Sequence, residues 1–312
     1  MKKILISMLA VAALVSCSKE ESILVDQGEA IAFGNAFVEN STRATDPSLG
    51  TSANPLTSFQ VWGTINGGNG AVAIFGGETV EGTVGTDSTW NCTTKTHYWV
   101  NGAKYNFAAL VNAGTVTPGA DLLPATVAFE SNGSKDLIYA KSAEYTGKPA
   151  GQNVKVAFTF EHLLSKVNIK VINKSSAATD YSFLAKNLKI NAPKTGGSYD
   201  IANKKWTATA GDYEFANISV AGGAANAECA AEQLLIPGAA TISFNVDIIV
   251  GGKVVSTAPY TFSTTLAAAN AYNFNINVSV GDPIKFTVEE NPSWDYDLND
   301  DGNNTNDDIT IQ

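Results

Sequence analysis

The sequence of 312 residues has few of the side chains on which catalysis usually depends. It contains two histidines, His97 and His162, and both are interpreted as structural residues of predicted strands rather than as catalytic bases. No Gly-x-Ser-x-Gly motif is present, and the glycine-rich run from Gly67 to Gly70 lacks the Lys-Ser/Thr pair of a phosphate-binding loop. The sequence therefore predicts no catalytic residue and no enzyme activity.

Positive charge is also scarce. The chain carries 20 basic and 30 acidic residues, a formal net charge of −10 at pH 7, and Arg43 is its single arginine. Nucleic acids and anionic lipid surfaces are bound through basic patches. The composition therefore excludes nucleic acid as an expected partner.

The apolar run at the N-terminus is too short for a membrane span. It extends from Ile4 to Val15, and a helix of that length reaches about 18 Å against a hydrocarbon core of roughly 30 Å. Two lysines precede the run and small residues end it, an order typical of a secretory signal. Residues 1–16 are therefore predicted to be a signal peptide that is removed.

The end of this signal, Leu14-Val15-Ser16-Cys17, resembles the bacterial lipobox. In a lipobox the cysteine is acylated, so Cys17 is the predicted lipid-attachment site, and each buried methylene contributes about 0.8 kcal/mol to membrane attachment. Ser18-Lys19-Glu20-Glu21 follows directly and resembles the surface-export signal of Bacteroidetes lipoproteins. The precursor is therefore expected to contact outer-membrane lipid and to reach the cell surface.

Arg43 stands in a segment rich in serine and threonine, from Asn40 to Thr45. Such segments are suited to proteolysis. A protease that requires arginine has one site in this chain, and cleavage there would make Ala44 the first residue. The alternative interpretation is a solvated loop arginine without a role.

Besides Cys17, the chain has two cysteines, Cys92 and Cys229. They either pair in an oxidising compartment or serve as two small buried thiols. The second interpretation is favoured because the chain is long enough to build a core without a disulfide.

Apolar residues alternate with a period of two in many short runs, which is typical of half-buried antiparallel strands. Glycine-rich turn clusters separate the runs, and no amphipathic helix of ten residues is present. The predicted fold class is all-β, with two sandwiches that meet between Lys148 and Lys166. The alternating residues are Phe59, Val61, Ile65, Val154, Val156, Phe158, Phe160, Val167, Ile169, Val171, Ile242, Phe244, Val246, Ile248, Val250, Tyr272, Phe274, Ile276, Val278, Val280, Ile284, Phe286 and Val288.

Five tryptophans permit two interpretations. They either stack on sugar rings or, as is more usual in a β-sandwich, pack in the core or at an edge, and the sequence does not separate the two. They are Trp62, Trp90, Trp99, Trp206 and Trp294.

The acidic C-terminal region contains a pattern similar to a calcium loop. Asp297, Asn299, Asp301 and Asp308 occupy its first, third, fifth and twelfth positions, and a glycine stands at the sixth. Against calcium, Asn304 occupies the eighth position, where dockerin-type loops carry an aliphatic residue. The favoured interpretation is an acidic spacer before a terminal strand, with no cofactor, and calcium is the alternative.

Several segments of the chain form an ordered set. They are Ser58 to Gly63, Tyr98 to Gly102, Asn106 to Ala109, Asp136 to Ala140, Val156 to Val171, Glu232 to Pro237, Ala271 to Phe274, Ile284 to Val288, and Trp294. Together with the lipobox and the isolated arginine, they cover nearly the whole chain. In this order they resemble the fimbrillin family of Bacteroidales, the type V pilins.

The resemblance implies two transthyretin-like antiparallel β-sandwich domains and assembly into a fimbrium. Residues 17–43 would be a lipidated propeptide with a temporary strand between Ala30 and Phe37. Residues 44–157 and 158–290 would be the two domains, and residues 291–312 an acidic tail. After cleavage at Arg43, the Ile309-Thr310-Ile311 strand of another subunit would replace the temporary strand, so that other pilin subunits are the implied partners.

Two alternatives stay open at this point. Because the acidic tail contains little apolar material, the chain resembles a tip or accessory adhesin pilin as well as a stalk subunit. From a different class, a surface glycan-binding lipoprotein would keep its lipid and remain unprocessed. The host or bacterial surface ligand is not indicated by the sequence.

Overall fold

The computed structural model describes residues 28–38, 55–68, 70–82, 90–175, 181–223, 226–257, 259–280, 282–291 and 307–309. These residues form strands, turns and irregular segments, and the all-β prediction is confirmed. In this part of the chain no helix is long and apolar enough to cross a membrane.

The described residues form twenty-two strands. The first eleven are β1 (Phe33–Val38), β2 (Ser58–Asn66), β3 (Ala71–Gly82), β4 (Trp90–Cys92), β5 (Lys104–Val111), β6 (Val116–Pro118), β7 (Pro124–Phe129), β8 (Ile138–Lys141), β9 (Tyr145–Thr146), β10 (Val156–His162) and β11 (Ser165–Asn173). The others are β12 (Tyr181–Asp200), β13 (Lys205–Glu214), β14 (Ile218–Val220), β15 (Asn226–Cys229), β16 (Gln233–Leu235), β17 (Gly238–Val250), β18 (Lys253–Ser256), β19 (Tyr260–Leu266), β20 (Ala271–Val278), β21 (Lys285–Asn291) and β22 (Asp307–Ile309).

The first sheet has the order β2-β3-β4-β1-β10-β8-β5-β9. Strand β2 also pairs with β5, so the sheet closes around its own core. The side chains in this core are mainly aromatic, and Phe33, Phe59, Phe107 and Phe158 are among its buried members. Along β10 the even-numbered side chains, from Val156 to His162, are buried, and the odd-numbered side chains between them are exposed. This alternation agrees with the predicted period of two.

Two further sheets enclose a second core. One has the order β15-β11-β20-β21-β22, with β16 also paired to β11. The other has the order β18-β17-β12-β7-β6, with β13 and β14 on β12 and β19 on β17. Buried residues from both sheets fill the space between them, including Val167, Phe183, Ile242 and Phe274.

Two strand pairs are parallel, and all other pairs of described strands are antiparallel. Strand β1 runs parallel to β10, and β11 runs parallel to β20. Alternation along a strand is the same in both arrangements, so the sequence pattern gave no signal for these two pairs.

A third group of buried residues lies where the first sheet meets the other two. It includes Trp62 and Leu110 from the first sheet, Phe129 from β7, and Tyr199 from β12. Strands β6 and β7 precede residue 157 in the chain, yet β7 pairs with β12 through Gly197–Asp200. The domain boundary at residues 157 and 158 stays a prediction.

Candidate functional site

Strand β1 is an internal member of the first sheet. Along one side it pairs in parallel with β10, from Phe33 opposite Val156 to Val38 opposite Phe160. On its other side, Phe33 pairs with Trp90 of β4. The strand thereby fills the place between β4 and β10. It begins at Phe33 and so overlaps most of the range from Ala30 to Phe37 in which the sequence predicts a temporary strand.

The chain just before β1 is tied to the loop that carries Trp99. The N–H of Trp99 donates to the carbonyl of Glu29 at 3.0 Å, and the N–H of Ile31 donates to the carbonyl of His97 at 2.8 Å. On the opposite side, the N–H of Val156 donates to the carbonyl of Ala32 at 2.8 Å. A β-carbon at Gly28 would collide with the carbonyl oxygen of Trp99, so the close approach requires glycine there.

The side chains of this segment complete the first core. Ile31, Phe33 and Ala36 are all buried. The Phe33 ring is surrounded by four others, with centroid distances of 6.0 Å to Phe59, 5.6 Å to Phe75, 6.2 Å to Phe107 and 6.1 Å to Phe158. Burying one such side chain contributes roughly 1.5–3 kcal/mol, so β1 is a substantial part of this core.

The place that β1 occupies has the properties of an acceptor groove for an extended strand. Its sides are the backbones of β10 and β4, and its floor consists of Phe59, Phe75, Phe107 and Phe158. Without a strand in it, backbone groups of β10 would lose their partners and the aromatic floor would be open to water. Unpaired edges of this kind bind other strands readily.

The C-terminal strand β22 lies at the edge of the six-stranded sheet. It pairs antiparallel with β21, with Ile309 opposite Phe286 and Asp307 opposite Val288. Of the predicted donor residues, Ile309 is in the described part of the chain, and Thr310 and Ile311 lie outside it. The predicted donor strand and the acceptor groove are on different sheets of the chain.

The calcium loop is described only at its last position. Asp308 lies in β22 opposite Thr287, while Asp297, Asn299 and Asp301 fall outside the described residues. The described residues hold no group of three or more His, Cys, Asp or Glu side chains that could bind a metal ion. Calcium binding by the loop stays a prediction.

The predicted processing and lipid-attachment residues also fall outside the described part of the chain. They are Cys17, Arg43 and Ala44. Their roles stay predictions from the sequence.

His162 is a buried structural residue. It ends β10, and its Nδ1 atom lies 2.8 Å from Oδ2 of Asp136, with both side chains almost completely buried. The Asn112 amide donates to the Asp136 carbonyl at 2.7 Å and holds the same segment. This pair lies close to the third group of buried residues, next to Leu137 and Leu163.

His97 lies beside the groove. Its ring contacts Phe75 edge-on, with 4.5 Å between the centroids. Burial is the main cause that lowers the pKa of His97, although the negative charge of Glu78 opposes the shift. The lowered pKa favours the neutral imidazole, as suits its place against an aromatic ring.

The tryptophans in the described part of the chain pack inward. Trp62, Trp90 and Trp99 are buried, and Trp206 is half-buried with its Nε1 donating to the Leu163 carbonyl at 2.9 Å. Trp294 lies outside the described residues. Core packing is therefore the correct interpretation for these four, and they form no exposed row.

The two remaining cysteines are far apart in the fold. Cys92 lies on β4 of the first sheet and Cys229 on β15 of the six-stranded sheet. No disulfide joins them, and both side chains are half-buried. Two separate thiols are therefore the correct interpretation, although neither cysteine side chain is fully buried.

Sequence reasoning missed how the acceptor groove is formed. It placed Phe59 and Phe158 on inward faces, but it did not identify Phe75 and Phe107 as parts of the same floor. Both are aromatic residues on apolar runs, in Ala71–Gly82 and Lys104–Val111, and that is the available signal. Their meeting around Phe33 depends on strand order, which alternation does not specify.

Comparisons with known proteins place the chain in a family. A family model described as fimbrillin-like matches residues 42–292, most of the chain. Comparison with curated proteins finds no match.

Among solved structures, a candidate cell adhesion protein from Bacteroides uniformis is similar at 15% identity and a TM-score of 0.49, over 85% of this chain and 99% of that one. A candidate cell adhesion protein from Bacteroides ovatus gives 14% identity and a TM-score of 0.48, over 85% and 96%. The fimbrial anchor protein Mfa2 from Porphyromonas gingivalis gives 13% identity and a TM-score of 0.38, over 85% and 98%.

The family model alone carries the assignment, because it covers most of the chain, from β2 to β21. The chain belongs to the fimbrillin-like family.

Proposed function

We propose that this chain is a structural subunit of a surface fimbrium that contributes to adhesion. It is exported as a lipoprotein acylated at Cys17, reaches the outer membrane, and is cleaved after Arg43. Loss of β1 then opens the acceptor groove, and the C-terminal strand of another subunit fills it. Head-to-tail contacts of this kind do not close on themselves, so they extend into a fibre.

The observation that carries the proposal is the position of β1 in the fold and in the sequence. The strand is internal to the first sheet and supplies Phe33 to its core, yet it ends at Val38, five residues before the single arginine. A protease that cuts after Arg43 would separate a core strand from the rest of its sheet. No other arginine offers a competing cleavage site.

The mature chain in this proposal consists of two β-sandwich domains, residues 44–157 and 158–290, and an acidic tail. The donor residues are Ile309, Thr310 and Ile311. Backbone hydrogen bonds supply affinity for any extended strand, and the apolar side chains fix its register over the aromatic floor.

The test is to isolate the native protein from sheared surface material and to determine its N-terminus and its gel behaviour without boiling. A chain that begins at Ala44 and runs as a detergent-resistant ladder supports the proposal. An Arg43→Ala variant is the matched control and is expected to keep acylated Cys17 and to run as a monomer. A wild-type chain with that same N-terminus and mobility would overturn the proposal.

A tip or accessory adhesin pilin is the second candidate function. It is favoured by β22, whose residues pair with β21 of the same chain and whose described stretch is short and acidic apart from Ile309. A subunit with a weak donor strand would end a fibre rather than extend it. Incorporation of the chain once per fibre, counted by immunogold labelling, would favour this role over the stalk.

An unprocessed glycan-binding lipoprotein has less support. A glycan-binding surface of this kind would need exposed tryptophans that stack on sugar rings. The four tryptophans in the described part of the chain pack inward instead.

A further inference from the structure

A small cleft opens where the first sheet meets the sheet of β12. One wall is the outer face of β8 and β10, where Tyr139 lies directly opposite Glu161 in the strand register. The other wall is the end of β12 with the turn that follows it, and it carries Tyr199, Ile201 and Lys204. The volume of the cleft is about 170 Å³. Because an engineered cavity of about 150 Å³ holds one benzene molecule, this cleft has room for one six-membered ring.

The hydroxyl groups of two tyrosines are available in this cleft. The Tyr199 side chain is 4% exposed, and Tyr139 is half-buried. Among the described residues, neither hydroxyl has a hydrogen-bond partner. Buried tyrosines usually bond their hydroxyl to another group, so two unbonded hydroxyls that line one cleft indicate a place for a polar ligand.

Both phenols keep their protons throughout the physiological pH range. Burial raises the pKa of Tyr139 to about 12, and the negative charges of Asp121 and Glu161 add to the shift. Burial is also the main cause that raises the pKa of Tyr199, with contributions from Glu161 and Asp200. Each hydroxyl can therefore donate one hydrogen bond to a ligand and accept another from it.

The walls of the cleft are held in place by neighbouring residues. The rings of Trp206 and Tyr199 are 5.1 Å apart between centroids, and Nε1 of Trp206 donates to the Leu163 carbonyl. In the turn after β12, the backbone N–H and the side-chain amide of Asn203 both donate to the Asp200 carboxylate, at 3.0 and 2.8 Å. A site that is ordered before binding loses less conformational entropy when a ligand enters.

Charges of both signs line the cleft. Nζ of Lys204 lies 3.8 Å from Oε2 of Glu161, and the two side chains are 76% and 58% exposed, so this pair is loose. Lys141 is a second exposed amine in the lining. A cationic ligand would meet the lysines, and an anionic ligand would meet Glu161. A neutral ligand with several hydroxyl groups avoids both repulsions and can bond to the carboxylate and to the amines.

We propose that this cleft binds one pyranose ring, either the end of a glycan chain or a free monosaccharide. Hydroxyl groups of the sugar bond to Tyr139, Tyr199 and Glu161, and its C–H groups contact Leu163 and Ile201. Binding of this kind relies on hydrogen bonds rather than on exposed tryptophan rings.

The cleft is separate from the acceptor groove. Glu161 and Thr159, which also lines the cleft, alternate along β10 with the buried residues Phe158 and Phe160, so the cleft and the groove use opposite faces of this strand. Sugar binding is therefore a function beyond strand exchange, and it does not require cleavage at Arg43.

The test is a titration of the full chain, labelled with fluorotyrosine and observed by fluorine NMR. The chain has ten tyrosines, and Tyr139→Phe and Tyr199→Phe variants identify the two signals from the cleft. The ligands are glucose, galactose, mannose, fucose and N-acetylglucosamine, each as the free sugar and as its methyl glycoside. At least one is expected to shift both signals in a saturable manner and to leave the signal of Tyr260, on β19, unchanged.

The pattern of binding identifies the source of the sugar. Binding of methyl glycosides would assign the end of a glycan chain, whereas binding of free sugars alone would assign a soluble monosaccharide. Acetate and methylammonium serve as probes of charge. The proposal would be overturned if no sugar gave a saturable shift, or if either ion bound more tightly than every sugar.

Variants identify the participating groups. Tyr199→Phe is expected to weaken binding about fivefold, measured at the Tyr139 signal, because one hydrogen bond is lost. Glu161→Gln is expected to weaken it about tenfold or more, because a bond to a charged group is lost. Tyr260→Phe and Glu144→Gln are the matched controls, since they remove a hydroxyl and a carboxylate outside the cleft, and both should bind as the wild type does. Equal weakening in the controls would show that the sugar binds elsewhere.

Discussion

Phe33 shows at the scale of one residue why β1 matters to the first core. Its ring contacts rings from β2, β3, β5 and β10, so one side chain joins four strands. Aromatic pairs at these separations contribute about 0.5–1.5 kcal/mol beyond the area that they bury. Removing the ring would leave a cavity, because four different strands would have to move inward at once to fill it.

Phe33→Ala in the uncleaved chain is therefore expected to lower the free energy of unfolding by about 3–5 kcal/mol. Chemical denaturation of the Arg43→Ala background measures it without interference from processing. Val72→Ala, at a side chain that is 61% exposed, is the control and should change stability by no more than about 0.5 kcal/mol. Equal effects of the two substitutions would show that β1 is not seated in the core.

Glu78 gives the chain a local dependence on acid. Partial burial opposes its ionisation, but hydrogen bonds from Lys95, at 2.8 Å, and from the Gly76 N–H prevail and lower the pKa of Glu78. A carboxyl whose pKa is lower in the folded state stabilises that state above its unfolded pKa. This contribution disappears as the pH falls through the folded pKa.

Glu78→Gln is expected to make stability less dependent on pH in the acid range, with a loss of under about 1 kcal/mol at neutral pH because Lys95 is largely exposed. Denaturant midpoints between pH 3 and 7 measure the effect. Glu144→Gln removes the partner of Lys104 in an exposed pair and serves as the control. If both variants gave the same pH profile, the Glu78 site would have no special role.

At the scale of elements, β1 occupies a groove that the rest of the first sheet forms around it. Its backbone bonds with β10, and its inward side chains fit the aromatic floor, so it is expected to bind even when the covalent connection is cut. A ligand that binds only the folded state raises the unfolding temperature as its concentration rises.

A chain that begins at Ala44 is therefore expected to unfold at a lower temperature than the precursor and to recover stability when a peptide of residues 28–38 is added. Thermal unfolding at increasing peptide concentration measures this. The same peptide with Phe33→Asp is the control and should have no effect. Failure of the wild-type peptide to stabilise the shortened chain would contradict the acceptor-groove interpretation.

The sequence predicted the elements better than their arrangement. Alternation identified β10, β11, β17 and β20 because one face of each strand contacts a core, and this requirement is local. It did not predict that β1 and β10 are parallel, because strand order depends on contacts between distant segments. Alternation likewise gave no signal that the polar residues Lys166, Asn168 and Lys170 between the apolar positions of β11 are buried.

The candidate site was also predictable only in part, because some of its features are local in the sequence and others depend on contacts between distant segments. The predictions of lipid attachment and cleavage rest on short motifs around Cys17 and Arg43, and such motifs can be read directly from the chain. The groove, by contrast, exists only after four sequence segments have met around Phe33.

At the scale of the whole molecule, the connection between β1 and the rest of its sheet has a consequence for timing. While the chain is intact, residues 39–57 join β1 to β2, so β1 is held next to its own groove at a local concentration on the order of millimolar, as is usual for short linkers. A free subunit in the periplasm would have to exceed that concentration to displace it. Cleavage removes this advantage at once, so a single proteolytic event at the cell surface would determine both where and when subunits become competent to join.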